Sequence, residues 1–570
     1  MSLKNYLIIG ALSVISFTAN AQNKKVWASG AARSVFQQNN LKTDGDTVTP
    51  KQLNSGHALV DIAINARPND QTFLHAMVRV RNDFGGFWGS GVTFDMRQLY
   101  LKGLVKNAVR YQLGDINYRL TPYTFFNNQE ELSQHQSEAL NIYRDIMRYD
   151  MFYTDDNTWR QQGASVDFTL EFSKFIEEIE VNSFMFRNRP TDFGQQSERI
   201  FFGGNATLVQ SKKVNVGLNY VDMMDIKGTS RSNTAFHNPV ITGTTDFRFD
   251  IKKFELGFNS ESGISERYTL NDPSVSVLRD YFYDLNLELS SKKNLPALKL
   301  NYINVGPQFR SVGAQSRRID FGTQNLMYTR YGNEQVPRPV TQLDMLQDAS
   351  LYQSQLSTTL QTFAPQYDNV QPYGKATPNR QGISVTAGYM SKKKVFDIEA
   401  TYRMLSEIVG QGSDELRSFS VLNANGTLYI DTLIPSYKNE LELSFGLTNQ
   451  QTERSTTIPQ GNIDLKSLLL DVGLKIGVSK DFAILGNYRI INAQGNELMN
   501  VRETSGEIID FQPFTTDMKQ NQLLIALRYK FDAKNHINVV WQQISFEDSA
   551  DEALSKFDLN QFGIVYSMHF

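Results

Sequence analysis

The chain has 570 residues, 40% of them hydrophobic and 12% aromatic, and its 57 Lys+Arg against 60 Asp+Glu leave a net charge of −3. That near balance excludes the basic surplus of a nucleic-acid binder, and the lack of cysteine excludes disulfides, Cys-ligated metal and lipid attachment to a cysteine. Beyond residue 21 there is no run of about 18 apolar residues, so no helix is expected to span a bilayer.

The first residues read as a secretory leader. Lys4 precedes an apolar run from Tyr6 to Phe17, and Ala19-Asn20-Ala21 ends it, so cleavage is expected after Ala21. The rest, 22–570, reads as one domain. A chain of this length would normally split into several, but no linker, low-complexity break or shift in composition divides it.

Taken in order, the chain alternates apolar and polar residues in short segments, the period of a β-strand with one apolar face. Such segments are expected at 26–38, 57–67, 71–82, 92–102 and 107–116, then at 163–173, 176–187, 200–210 and 214–220. They continue at 244–251, 254–262, 281–290, 295–305, 381–390, 395–405, 427–434 and 439–449. The last are 467–478, 482–492, 520–531, 536–546 and 557–570. The alternation is plain at Leu523, Ile525, Leu527, Tyr529 and Phe531, set against Gln522, Ala526, Arg528 and Lys530. Short basic turns recur between them, at Lys212-Lys213, Lys252-Lys253, Lys292-Lys293, Lys392 to Lys394, Lys438, Lys480 and Lys534. The intervening connections are longer.

Two stretches break the rhythm. In 117–162, Leu132, Ala139, Tyr143, Ile146 and Met147 recur at three and four residues, so a helix over 129–152 is expected, capped by Asn128. The stretch 306–380 holds six of the 16 prolines, and Thr341 with Asp344 resembles a capping box before Leu343, Leu346, Ala349, Leu356 and Leu360. Loops this long are usually functional lids or plugs.

The last strand carries a resemblance. Phe562, Ile564, Tyr566, Met568 and the terminal Phe570 fall on one face, and Gln561, Gly563, Val565, Ser567 and His569 on the other. This pattern resembles the C-terminal strand of Gram-negative outer-membrane β-barrel proteins. The resemblance implies an all-β fold, a transmembrane antiparallel up-and-down barrel of about 22 strands (20 to 24), placed in the outer membrane. It also implies outer-membrane lipid as the surroundings and recognition of Phe557–Phe570 by the barrel assembly machinery. Charge-free apolar faces fit lipid, where a charge costs several kcal/mol. A soluble antiparallel sheet would show the same alternation, but not the leader, the terminal aromatic or such unequal turns.

A barrel this wide needs its lumen filled or narrowed. The sizeable N-terminal plug of TonB-dependent transporters is not expected, because strands begin soon after Gln22. The two inserts are therefore expected to constrict the lumen from outside. Arg310, Arg317, Arg318, Arg330 and Arg338 of the second would face the inward acids Asp284, Glu288, Asp397, Glu399, Glu440 and Glu442, setting a transverse field across a constriction. The bland alternative is that these arginines tie the loop to the wall.

Catalytic patterns are poor. There is no Gly-x-Ser-x-Gly, and the six histidines (His57, His75, His135, His237, His536 and His569) show no metal-ligand spacing. His135 with Asp155-Asp156, or His237, are the only hydrolytic candidates, and solvated loop residues are the plainer reading of both. The Gly85 to Gly91 stretch reads as a tight outer turn with Phe87 and Trp88 at its rim. No cofactor and no metal is expected. Two functions follow: a loop-constricted, porin-like channel for polar solutes, or a closed barrel acting as a structural or interaction subunit of an outer-membrane or secretion complex.

Overall fold

The computed structural model describes residues 25–43, 51–83, 92–126, 137–146, 161–231, 234–271, 277–291, 297–316, 331–333, 336–338, 356–360, 363–391, 394–434, 436–503, 507–550 and 556–570. The leader, the Gly85 to Gly91 turn, Asn128, His135 and Asp155-Asp156 lie outside them.

Twenty-two antiparallel strands form one sheet. They are β1 (Val26–Thr43), β2 (Lys51–Asn69), β3 (Thr72–Asp83), β4 (Thr93–Val105), β5 (Val109–Ile116), β6 (Gln161–Lys174), β7 (Ile176–Arg189), β8 (Arg199–Ser211), β9 (Val214–Asp225), β10 (Ala235–Ile251) and β11 (Phe254–Leu270). The second half comprises β12 (Leu278–Ser291), β13 (Ala297–Val305), β14 (Arg380–Met390), β15 (Phe396–Ser406), β16 (Ser418–Tyr429), β17 (Leu441–Arg454), β18 (Ile463–Gly477), β19 (Phe482–Arg502), β20 (Ile508–Lys530), β21 (Asn535–Asp548) and β22 (Lys556–His569). Each pairs with its neighbours in sequence, and β22 pairs with β1 from Ala31↔His569 to Thr43↔Phe557. The sheet is therefore a closed barrel with no free edge.

The seam explains the aromatic last residue. Phe570 and Gly30 exchange two backbone hydrogen bonds of 3.0 Å, so the terminus is tied into the ladder. A side chain at Gly30 would run into the Phe570 ring and the Asp61 carbonyl, so only glycine admits that ring across the seam.

Strand alternation sets the two faces. On β22, Phe557, Leu559, Gln561, Gly563 and Val565 are buried inward, while Phe562, Ile564, Tyr566 and Met568 point out. Ile525, Leu527 and Tyr529 of β20 stay 41–45% exposed, the outward apolar row that a bilayer covers. The basic turns gather at one end, the turn end: Ile251↔Phe254 closes around Lys252-Lys253, with φ of 53° at Lys252. The long connections and both inserts leave from the other, the loop end.

The expected twenty-two strands are all present, with one misplaced. The segment 427–434 is not a strand; β16 runs from Ser418 to Tyr429, and Ile430–Leu433 forms a 3-10 turn. The apolar Leu428, Ile430 and Ile434 imitate the two-residue period of a strand, but Pro435 follows and cannot extend a ladder. Most strands are longer than expected; β20 reaches 23 residues. In the first insert, the helix α1 runs only Glu138–Asp145 among the described residues. Ser137 caps it with extended backbone (φ −64°, ψ 150°) and accepts from the Leu140 amide, so no helix runs unbroken from 129 to 152. In the second insert, 339–355 lies outside the described residues and Leu360 is not helical.

Candidate functional site in the barrel lumen

The inner wall is not uniformly polar. Near the loop end of β7 to β13 it turns Phe184, Phe186, Phe201, Val221, Met223, Phe282 and Val305 inward. Both inserts bury apolar residues against them: Tyr123 and Phe125 from the first, Phe309, Val312, Ala314, Leu356 and Ala376 from the second. The Tyr123 ring stacks on Phe282 at 3.9 Å and its hydroxyl donates to Asp284 at 3.1 Å. Complete burial, then the Asp284 charge, pushes that hydroxyl's pKa well up. A buried insert needs a core, and these inward rings supply it.

The two inserts interlock. The Phe126 amide donates to the Gly313 carbonyl at 2.9 Å, and the Ser311 hydroxyl to the Thr124 carbonyl at 3.2 Å. The second insert then crosses the lumen. Val370 joins Ile303, Leu405, Phe419 and Val421 on one stretch of wall. Tyr367 joins Leu469, Ile491, Met518, Ile544 and Phe546 on another.

The first insert reaches further. Ser137 lies against Gly473; a side chain on Gly473 would overlap it. Gly473 is ten residues down β18 from Ile463, roughly 33 Å at about 3.3 Å per residue. Helix α1 therefore sits deep, toward the turn end, not at the outer mouth as expected. There Glu138 pairs with Lys475 at 2.7 Å and with Arg528, and Lys475 also reaches Glu440 at 2.9 Å. Burial pushes the Glu138 carboxyl up, but Lys475 and Arg528 outweigh it and hold its pKa below the usual range. Ala139, Leu140, Ile142 and Tyr143 of α1 are all buried.

The proposed constriction residues divide. Asp284, Glu288, Asp397, Glu399 and Glu442 line the inner wall, and Glu440 sits at the foot of β17. Arg310 does not face them. Its guanidinium donates to Gln315 Oε1 (2.5 Å) and to the carbonyls of Ser357 (2.6 Å) and Thr358 (3.3 Å), and burial, then Arg267, pushes its pKa down to about 9. It braces the insert from within. Arg317, Arg318 and Arg330 lie outside the described residues. Arg338 belongs to a short hairpin of Tyr331–Asn333 with Val336–Arg338, its side chain outside the description. Among the described residues, Lys375 of the insert does meet an inward acid, 3.1 Å from Asp284. Sequence reasoning passed over it because a lone lysine among glycines and prolines carries no pattern. Glu288 pairs instead with Lys299 across the wall, at 3.7 Å.

Of the histidines weighed for hydrolysis, His237 faces outward on β10, 3.7 Å from Asp222 and stacked on Tyr268 at 5.2 Å. Among the described residues no three His, Asp or Glu are placed to hold a metal ion.

A closed, up-and-down barrel with an outward apolar belt, short turns at one end and long loops at the other defines a transmembrane β-barrel of the Gram-negative outer membrane. No family model and no curated protein matches the sequence. Solved structures are similar to the chain at very low identity. Pseudomonas aeruginosa OccK5 (OpdH) is 9% identical over 95% of this chain and 98% of its own, with a TM-score of 0.35. The P pilus usher PapC translocation pore is 7% identical over 95% and 99%, at 0.37. The FrpB iron transporter of Neisseria meningitidis is 7% identical over 98% and 83%, at 0.43. Scores this low leave the functional reading to the residues of this chain.

Proposed function

We propose that the protein is a gated channel for polar solutes whose lumen is occupied by its own two inserts. The observation that carries this reading is the polar seam between plug and wall. Lys375 meets Asp284, Arg403 donates to Gln371 at 2.6 Å, and Glu138 meets Lys475 and Arg528. These groups keep partial access to water; the Lys375 side chain is 40% exposed and that of Glu138 32%. Water can compete for the exposed side of each pair when the seam parts, while the hydrogen-bonded barrel stays closed. Inward acids near the turn end give the path a preference for cations.

The second reading, a permanently closed barrel serving a partner, is favoured by the three apolar clusters that bind the inserts to the wall. Planar-bilayer recording separates the two. The channel reading expects small or intermittent conductance from the full chain and a large, steady rise on deleting 311–378. Silence from both proteins, with folded barrels shown by heat-modifiable gel mobility, removes it. We also propose that Phe557–Phe570 is the strand the barrel assembly machinery reads.

A further inference from the structure

Near the turn end, the inward wall of β1 to β4 carries an aromatic array. Register sets Trp27 opposite Asn65, Asn65 opposite His75, His75 opposite Tyr100 and Phe73 opposite Lys102, so these side chains share the inner face of neighbouring strands. The Phe73 ring lies 5.8 Å from Trp27 and 6.1 Å from Tyr100, and His75 stacks on Tyr100 at 4.8 Å. His75 is buried and its Nδ1 is bonded to Asn65 Oδ1 at 2.8 Å, which fixes the array from behind. Trp27, Phe73 and Tyr100 are only half-buried, so their rings are within reach of a solute in the lumen.

Lys102 supplies the charge. It is exposed, with its ammonium 5.0 Å from the Phe73 ring centroid and 5.6 Å from that of Tyr100. A ring face attracts a cation without neutralising it, and at an exposed site that attraction is weak. Among the described residues no carboxylate pairs with Lys102. The inward Asp61 of β2 is already taken, by Arg79 at 2.8 Å and by Arg97 at 3.5 Å. The acids Glu440 and Glu442 lie at the foot of β17, on another arc of the wall.

A bare anion would use only one exposed lysine, a neutral ring would leave the ammonium without a counter-charge, and a cation would be repelled by it. An occupant with both a flat ring and a carboxylate uses the whole array. Its ring stacks, offset or edge to face, on Trp27 and Phe73, while its carboxylate accepts charge-assisted hydrogen bonds from Lys102 Nζ. We propose that this array is a binding site for an aromatic carboxylate, entered from the turn end. Lys102 lies three residues before the end of β4, roughly 10 Å at about 3.3 Å per residue, so the site is close to that mouth. The proposal goes beyond the channel reading, since binding does not depend on conduction.

The test is calorimetric titration of the full chain in detergent at neutral pH, with a blank titration into detergent alone to subtract partition into micelles. The probe is 4-hydroxybenzoate. Acetate supplies the anion without the ring, and 4-hydroxybenzyl alcohol the ring without the charge. Saturable binding of 4-hydroxybenzoate is expected, tenfold or more tighter than either comparison. Lys102→Gln and Phe73→Leu should each weaken it tenfold or more at unchanged heat-modifiable mobility. Three results overturn the proposal: 4-hydroxybenzoate shows no saturable binding, either comparison binds as tightly, or either folded variant keeps the original affinity. The first two need no variant to fold. Because the titration reads no current, its failure leaves the channel reading standing, and a silent bilayer leaves the carboxylate site standing.

Discussion

At the scale of single residues, the interior is held by charges that sequence spacing hides. Asp471 and Arg489 face each other across β18 and β19, 2.6 Å apart and with no exposed side-chain surface. Asn487 donates to the same carboxylate at 2.6 Å. In the sequence, Asp471 is one polar residue in an alternating strand, and its partner lies 18 positions away, so the pair becomes visible only once the register is known. The alternation did place both side chains inward. Removing one partner of a buried pair strands the other: Asp471→Asn is expected to cost about 3–5 kcal/mol, while Asp471→Leu with Arg489→Met should restore most of it. The denaturant midpoint of the heat-modifiable barrel measures both. Equal losses in the single and double variants would show that packing volume, not the stranded charge, sets the effect.

At the scale of elements, the strands were legible and the inserts only partly so. A strand announces itself by a two-residue period that lipid on one side enforces. Insert residues answer to neighbours far away in sequence. The three-and-four spacing marked Ala139, Tyr143 and Ile146 as one face, and all three are buried. It did not mark Ser137 as the cap, nor the depth of α1, which Gly473 permits by having no side chain. The latch at the foot of α1 gives a pH prediction. The Glu138 pKa is lowered, so its ion pairs are intact above the ordinary carboxylate value of about 4.3 and are lost as pH falls through the lowered one. Conductance of the full chain should therefore rise as pH falls from 7 to below the ordinary carboxylate range, whereas Glu138→Gln should be released already at pH 7 and respond little to acid. High salt should mimic acid in the full chain, because the pairs are partly wet. An acid response as large in Glu138→Gln as in the unaltered chain would place the latch elsewhere. A second check uses Gly473: Gly473→Val would overlap Ser137, should force α1 from its seat, and should raise conductance already at pH 7.

At the scale of the whole molecule, two structures are nested: a ladder that closes on itself and a plug made from its longest connections. The ladder owes nothing to the inserts, since β5 pairs β6 and β13 pairs β14 directly at their feet. The final strand, with Phe562, Ile564, Tyr566 and Met568 on one face, carried the resemblance that implied a barrel, but nothing in it marked Gly30 as the partner of Phe570. The plug was readable only as a need, because a 22-stranded ring leaves space that something must fill. Which residues fill it depends on contacts such as Tyr367 with Met518 and Gly313 with the Phe201 ring, each far apart in sequence. The nesting predicts two separable transitions. Deleting 311–378 removes Val312, Ala314, Leu356, Tyr367, Val370 and Ala376 from three apolar clusters and uncovers inward rings such as Phe201 and Phe282. Such a deletion should leave the barrel heat-modifiable, with β-sheet circular dichroism unchanged, while an apolar dye binds its interior and its unfolding temperature falls. Replacing Gly30 with Val acts on the other layer, forcing Phe570 off the seam, and should impair assembly of the barrel with the plug sequence intact. If the deletion abolished assembly as thoroughly as Gly30→Val, the inserts would be part of the folding core of the ladder and the two layers would be one.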